Sequence, residues 1–108
     1  MTRLYLLRHA KARWAEPGAR DYDRALDPSG HEDAARLAAA MAAAGYVPDT
    51  VLCSGARRAR ETWAGVSKAL PVADVRFIDQ LYSADAAGYL NLVRTAGAAG
   101  SLLLVGHN

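Results

Sequence analysis

At 108 residues the chain has room for one domain, residues 1–108, with a modest core. Its net charge of +2 is too small to argue for a nucleic-acid binder, and the single Cys53 excludes an intrachain disulfide. No apolar run approaches the ~18 residues of a membrane-spanning helix, and the apolar stretch after Met1-Thr2-Arg3 is too short for a signal peptide. A cytoplasmic protein with no membrane association is the expectation.

The chain opens on Leu4-Tyr5-Leu6-Leu7, an apolar run that reads as a strand buried on both faces. Arg8 and His9 then sit just past its carboxyl end, the edge where open α/β sheets bind ligands. A polar loop follows from Lys11 to Asp23, carrying Trp14, Pro17 and Gly18; loops of this length tend to be functional or mobile. Asp27-Pro28 opens a helix, with Asp27 as cap and Pro28 at the first helical position. The body from His31 to Ala44 carries Ala34, Leu37, Ala38 and Met41 on one stripe, and Gly45 closes it.

Val47-Pro48-Asp49 turns into a strand over Thr50–Cys53. Ala56–Leu70 has Ala59, Thr62, Trp63, Val66 and Leu70 at helical spacing, and Pro71 stops it. Val75–Ile78 reads as a third strand. Asp85–Ala96 reads as a helix with Tyr89, Leu90 and Val93 apolar, and Leu102–Val105 as the last strand. The alternation β-α-β-α-β-α-β predicts an α/β fold, mostly parallel, with helices on both sheet faces. The chain stops three residues beyond Val105, so no helix is expected to cover that last strand's outer face.

Three of these strands deliver basic groups to what would be one edge of one sheet. Arg8-His9 follows the first; Ser54-Gly55-Ala56-Arg57-Arg58-Ala59-Arg60-Glu61-Thr62 follows the second; Gly106-His107-Asn108 follows the last. A neutral imidazole held in one tautomer can attack phosphorus. An arginine beside it offers a planar fork that matches two phosphate oxygens. Arginines in a first helical turn oppose the helix dipole, so Arg57 and Arg58 point to a bound anion, while Arg60 reads as a solvated charge. Gly106 would allow close backbone approach to a ligand. Lys11, Arg13, Arg24 and Trp14 could line the mouth of such a pocket. His31 reads as solvated, and Cys53 as a small buried residue without reactivity.

Leu7-Arg8-His9-Ala10 resembles the Arg-His-Gly signature of the histidine phosphatase (phosphoglycerate mutase-like) superfamily. Ser54 to Thr62 resembles its Ser-Pro-x-x-Arg-Ala-x-Gln/Glu-Thr motif, and Val105-Gly106-His107-Asn108 its Val-Gly-His-Asn motif. The Ala-Lys after His9 and the stretch Asp21-Tyr22-Asp23-Arg24-Ala25-Leu26 look most like the SixA-type phosphohistidine phosphatases. The resemblance implies a three-layer phosphoglycerate mutase-like fold, here lacking its C-terminal part. It implies His9 as a nucleophile that becomes phosphohistidine, Arg8 and Arg58 as clamps on the phosphoryl oxygens, and His107 as the second pocket histidine. Lys11, Arg57 and Asn108 would contact substrate. No metal or other cofactor is implied, since cationic side chains take that place.

The sequence departs from the family pattern at Ala10, in place of glycine, and at Gly55, in place of proline. Larger members also carry a glutamate general acid after the strand corresponding to Val75–Ile78. Here Asp79 and Ser83 are weak candidates for that role. An imidazole leaving group, with a pKa of about 6.5, needs an acid far less than an alkoxide does. The expected activity is therefore a metal-independent phosphatase acting through a phosphohistidine intermediate on phosphohistidine of a protein. The alternatives are a small-molecule phosphomonoesterase of the same superfamily, or a non-catalytic phosphate-binding module or inactive fragment. The partners expected are a phosphorylated protein or small phosphorylated molecule, with no nucleic acid.

Overall fold

The computed structural model describes residues 3–97 and 100–107. Four parallel strands form one sheet in the order β1-β4-β2-β3: β1 Arg3–Arg8, β2 Thr50–Cys53, β3 Asp74–Phe77 and β4 Ser101–Gly106. Helices α1 Pro28–Ala44 and α2 Arg57–Ser67 cover one face; a short α3 Gln80–Ser83 and α4 Ala86–Thr95 cover the other. Each predicted strand and long helix forms, giving the expected three-layer α/β arrangement. The 3₁₀ turn at Asp21–Asp23 and α3 carried no apolar periodicity and were not anticipated.

Alternation along β2 and β4 feeds both cores. Val51, Cys53, Leu103 and Val105 pack with Ala34, Met41, Ala59, Trp63, Val66 and Leu70 on the α1/α2 side. Leu52, Leu102 and Leu104 pack with Leu81 on the other, and Tyr89, Leu92 and Val93 lean against them. Local chemistry agrees with the tertiary pattern at the helix ends. Asp27 caps α1 by accepting the Gly30 N–H at 2.8 Å, and Gly45 closes it in the left-handed region at φ 72°. Asp85 caps α4 through the Gly88 N–H at 2.9 Å. Gly30 allows a close approach, because a Cβ there would fall 2.2 Å from the Lys11 carbonyl oxygen.

Two expectations about burial are reversed. The last strand, expected to show an uncovered face, lies between β1 and β2 and is buried from Leu102 to Gly106. The opening strand, expected to be buried on both faces, lies at the sheet edge. Tyr5 and Leu7 pack toward α1 and α2, but Leu4 is 39% and Leu6 66% exposed on the α4 side. Leu90, one of the apolar residues of α4, is likewise exposed and borders the same uncovered rim. Apolar character alone does not distinguish a central strand from an edge strand, and here the central place went to the last one.

The loop after β1 is tied down along its length. Ala12 bridges Leu26 in antiparallel fashion, the Arg13 N–H donates to the Ala25 carbonyl at 2.8 Å, and the Leu26 N–H donates to Glu61 Oε1 at 2.8 Å. Among the described residues no helix is long and apolar enough to cross a membrane. Because Leu104 is 1% exposed at the sheet centre, Leu104→Ala is expected to cost about 2–5 kcal/mol in urea unfolding. Leu6→Ala, at the open edge, should change stability by less than about 0.5 kcal/mol. Equal effects would contradict this assignment of the core.

Candidate active site

Parallel pairing brings the carboxyl ends of all four strands to one edge. The β1–β4 register sets Arg8 opposite Gly106, and the His9 N–H donates to the Gly106 carbonyl at 2.9 Å, so His9 and His107 leave the sheet side by side. Their ring centroids are 5.2 Å apart. On the other side of β4, the Ser54 N–H donates to the Val105 carbonyl at 2.9 Å, which brings the β2–α2 turn to the same place.

The His9 ring is held in one tautomer. Nδ1 lies 2.7 Å from the Ala10 carbonyl oxygen, which can only accept, so Nδ1 carries the proton. Nε2 therefore presents a lone pair, and it accepts from Arg58 Nε at 3.3 Å. The Ala10 carbonyl is itself fixed, because the Ala10 N–H donates to Thr62 Oγ1 at 2.9 Å and Thr62 donates on to the Arg58 carbonyl at 2.8 Å. Burial, with Arg58, Arg8 and Arg24 adding to it against the opposing pull of the Ala10 hydrogen bond, holds the His9 pKa below its usual value. A neutral imidazole whose Nε2 lone pair is held by one long bond from Arg58 becomes a competent nucleophile when that N–H turns to a ligand's oxygens.

His107 is pushed lower still, to about 4, by burial and then by the charge of Arg58 and the neighbouring His9. Its Nε2 is 2.8 Å from Ser54 Oγ, and Ser54, fully buried, also accepts the Ala56 N–H at 3.2 Å. The His107 backbone N–H donates to Tyr89 Oη at 3.0 Å, and Tyr89 donates to the Leu81 carbonyl at 3.1 Å. Gly106 makes this possible, since a Cβ there would fall 2.4 Å from Tyr89 Oη. The glycine thus admits a tyrosine, where a ligand was expected.

A cavity of about 540 Å³ opens over these groups, lined by Arg8, His9, Lys11, Arg24, Arg58 and His107 together with Ala10 and Ala12. Arg58 is buried, with its terminal nitrogens on Asp21: Nη1 donates to the Asp21 carbonyl at 2.8 Å and Nη2 to Oδ2 at 3.0 Å. Lys11 is mostly exposed and lies 3.9 Å from Asp27. Arg57 does not line this cavity; it pairs with Glu61 at 3.5 Å and borders a neighbouring hollow with Arg13 and Trp14. Asn108 lies outside the described residues. The first-turn arginines of α2 thus have internal partners: Asp21 for Arg58, Glu61 for Arg57, and the Gly55 carbonyl for Arg60 at 2.8 Å. Their crowding is balanced within the fold, so it does not by itself require a bound anion.

Neither acid candidate reaches His9. Asp79 accepts from Tyr22 beside Arg20, Asp21 and Tyr82, in a separate hollow, and Ser83 is exposed at the end of α3. Gly55 is explained by this pair, because a Cβ at residue 55 would fall 2.0 Å from Asp79 Oδ1 and 2.4 Å from Tyr22 Oη. Cys53 is buried and its thiol is pushed up to about 12, in line with an inert role. Arg24, read only as a residue of the pocket mouth, stands in the wall. Asp21 and Tyr82 were not singled out, since no local motif marks a carboxylate whose partners lie 37 and 61 residues away.

Residues 4–95 match the family model for the histidine phosphatase superfamily, branch 1. An uncharacterized chloroplastic protein of Arabidopsis thaliana is 39% identical over 84 residues, covering 75% of this chain and 38% of the relative. An uncharacterized protein of Mycobacterium tuberculosis is 34% identical over 102 residues, covering 94% of this chain and 62% of the relative. The chain thus spans less than two thirds of either relative's length. A solved structure from Agrobacterium tumefaciens, assigned as a phosphohistidine phosphatase SixA, is 44% identical with a TM-score of 0.94, covering 99% of this chain and 70% of that one.

Burial of both imidazoles has a consequence for stability. Below the ordinary histidine pKa of about 6.5 the unfolded chain takes up protons that the folded one refuses, so stability falls as pH drops. For His107 that decline extends to about pH 4. Thermal melts of the wild type are expected to fall more steeply over this window than those of His107→Gln. Parallel declines would show that His107 is not held neutral.

Proposed function

The chain belongs to branch 1 of the histidine phosphatase superfamily, and from that premise we propose that it hydrolyses phosphohistidine on a protein through a phospho-His9 intermediate, without a metal. The observation that carries this reading is the state of His9. Its proton is fixed on Nδ1 by the Ala10 carbonyl, and its Nε2 lone pair faces a cavity walled by cations. Relatedness to the structure assigned as SixA supports the choice of substrate.

In the first step the Nε2 lone pair attacks phosphorus and the P–N bond of a substrate imidazole already protonated on its other ring nitrogen breaks, its electrons leaving with a neutral imidazole. Arg8 and Arg58, with Arg24 beside them, offset the charge on the equatorial oxygens. His107, neutral and anchored through Ser54 and Tyr89, sits beside the transferring group. In the second step water attacks phospho-His9, returning the neutral imidazole and inorganic phosphate. Among the described residues the cavity wall has no carboxyl group. An imidazole leaving group tolerates that; an alkoxide, whose conjugate acid is far weaker, does not. Such a wall therefore favours phosphohistidine over a phosphate monoester.

The test is trapping with a labelled phosphoryl donor. The wild type is expected to carry acid-labile, alkali-stable label that is lost in His9→Ala. Arg58→Ala should lower turnover by on the order of 10²–10³, and a chelator should leave the wild-type rate unchanged. Faster release of phosphate from phosphoserine or a sugar phosphate than from a phosphohistidine protein would overturn the substrate assignment. A folded chain that takes no label from any donor would overturn the mechanism.

A further inference from the structure

One carboxylate outside the cavity wall holds several of the groups that form it. Asp21 lies in the 3₁₀ turn of the β1–α1 loop, half exposed, and its two side-chain oxygens and backbone carbonyl collect five donors, one of them the Arg24 N–H on the carbonyl at 3.1 Å. Oδ1 accepts Arg24 Nη1 at 2.9 Å. Oδ2 accepts Arg58 Nη2 at 3.0 Å and the Tyr82 hydroxyl at 2.6 Å. The backbone oxygen accepts Arg58 Nη1 at 2.8 Å. These donors come from three separate parts of the chain: Arg58 from α2, Arg24 from the loop and Tyr82 from α3.

We propose that Asp21 is a positioning residue, which by clamping the two terminal nitrogens of Arg58 leaves the Nε edge of the guanidinium aimed at His9. The proposal rests on reading the cavity as a phosphoryl site. The guanidinium is planar, so holding Nη1 and Nη2 fixes where Nε–H points, and that N–H donates to His9 Nε2 at 3.3 Å. Asp21 therefore takes the end of Arg58 away from the nucleophile, and the Nε–H on the facing edge passes from His9 to a phosphoryl oxygen when substrate enters. The same carboxylate steadies Arg24, a second cation of the wall, and Tyr82, whose ring meets His107 edge-on at 5.5 Å.

An exposed ion pair would be worth little, but this pair is lopsided. The Arg58 side chain is only 9% exposed while that of Asp21 is 50% exposed. Without the Asp21 carboxylate the buried guanidinium would lose the acceptor of its Nη2–H and keep only the backbone carbonyl on Nη1, so it would swing about that remaining bond. Hydrogen bonds from Tyr82, Arg24 and Arg58 keep the carboxyl well below the usual carboxylate range, so it is ionised wherever the enzyme works. The rival reading is that Asp21 competes with substrate for Arg58, and it predicts the opposite sign.

The experiment is a double-mutant cycle on the full chain, with Asp21→Ala made in the wild type and in Arg58→Ala. Its readouts are affinity for inorganic phosphate by calorimetry and kcat against KM on phosphoramidate. In the wild type, Asp21→Ala is expected to weaken phosphate binding and lower kcat by about tenfold each, with the melting temperature little changed. In Arg58→Ala the same substitution should change either quantity by less than about twofold, because its effect runs through Arg58. Equal losses in both backgrounds, no loss in the wild type, or tighter phosphate binding would each overturn the proposal. Should Asp21→Ala fail to fold, Asp21→Asn supplies the same comparison. A wild type that binds phosphate but releases none from phosphoramidate or a phosphohistidine protein would refute the phosphatase reading and leave the binding cycle able to judge Asp21. A wild type that binds no phosphate would refute both.

Discussion

The β1–β4 pairing is the constraint on which the site depends. A parallel register has no turn to enforce it, so the hydrophobic faces of the two strands must set it. Leu103 and Val105 bury on one face and Leu102 and Leu104 on the other, and a slip of one residue would exchange those faces. The same register places Arg8 opposite Gly106 and lets His9 and His107 emerge as neighbours. The packing energy of a leucine-rich strand thus fixes the separation of two imidazoles that have no direct bond to each other.

Around that pair the electrostatics follow one rule, that anions sit outside the cavity and cations within it. Arg8, Arg24 and Arg58 surround two imidazoles, so protonating either one would add a like charge to a partly buried site. Neutral histidines are the cheaper state, and a neutral His9 is what nucleophilic attack requires. The counter-charge for Arg58 comes from Asp21, further along the loop that His9 begins, and not from a residue of the cavity wall. The site therefore keeps its positive potential for a ligand without leaving a buried guanidinium unpaired.

Much of this was legible in the sequence because its signals are local. Apolar runs, Asp27-Pro28 and Gly45 mark their elements without tertiary help, and Arg8-His9, Arg58 and Gly106-His107 stand directly at strand or helix ends. What could not be read depends on long-range placement. Nothing in Leu4–Leu7 reveals an edge strand, since strand order is set by which helices cover which face. Arg57 and Arg58 are adjacent and alike in sequence, yet the helical turn sends one inward to Asp21 and the other outward to Glu61. Asp21 itself is one of several acidic residues in a polar loop, and only folding selects it.

Two of the departures from the family pattern, Gly55 and Asp79 near the expected general acid, meet in the structure. Gly55 frees the volume in which Tyr22 and Asp79 meet, and a side-chain carbon at that position would collide with both. The Tyr22–Asp79 contact in turn pins the 3₁₀ turn that carries Asp21 against the start of α3, from which Tyr82 reaches Asp21. The carboxylate nearest in sequence to the expected general acid is thereby committed to holding the loop, at a distance from His9. Gly55 and the commitment of Asp79 to Tyr22 thus belong to one arrangement, and among the described residues no carboxylate lines the cavity. If the site takes the phosphohistidine proposed for it, that arrangement suits the leaving group, because an imidazole protonated on its second nitrogen departs with little help.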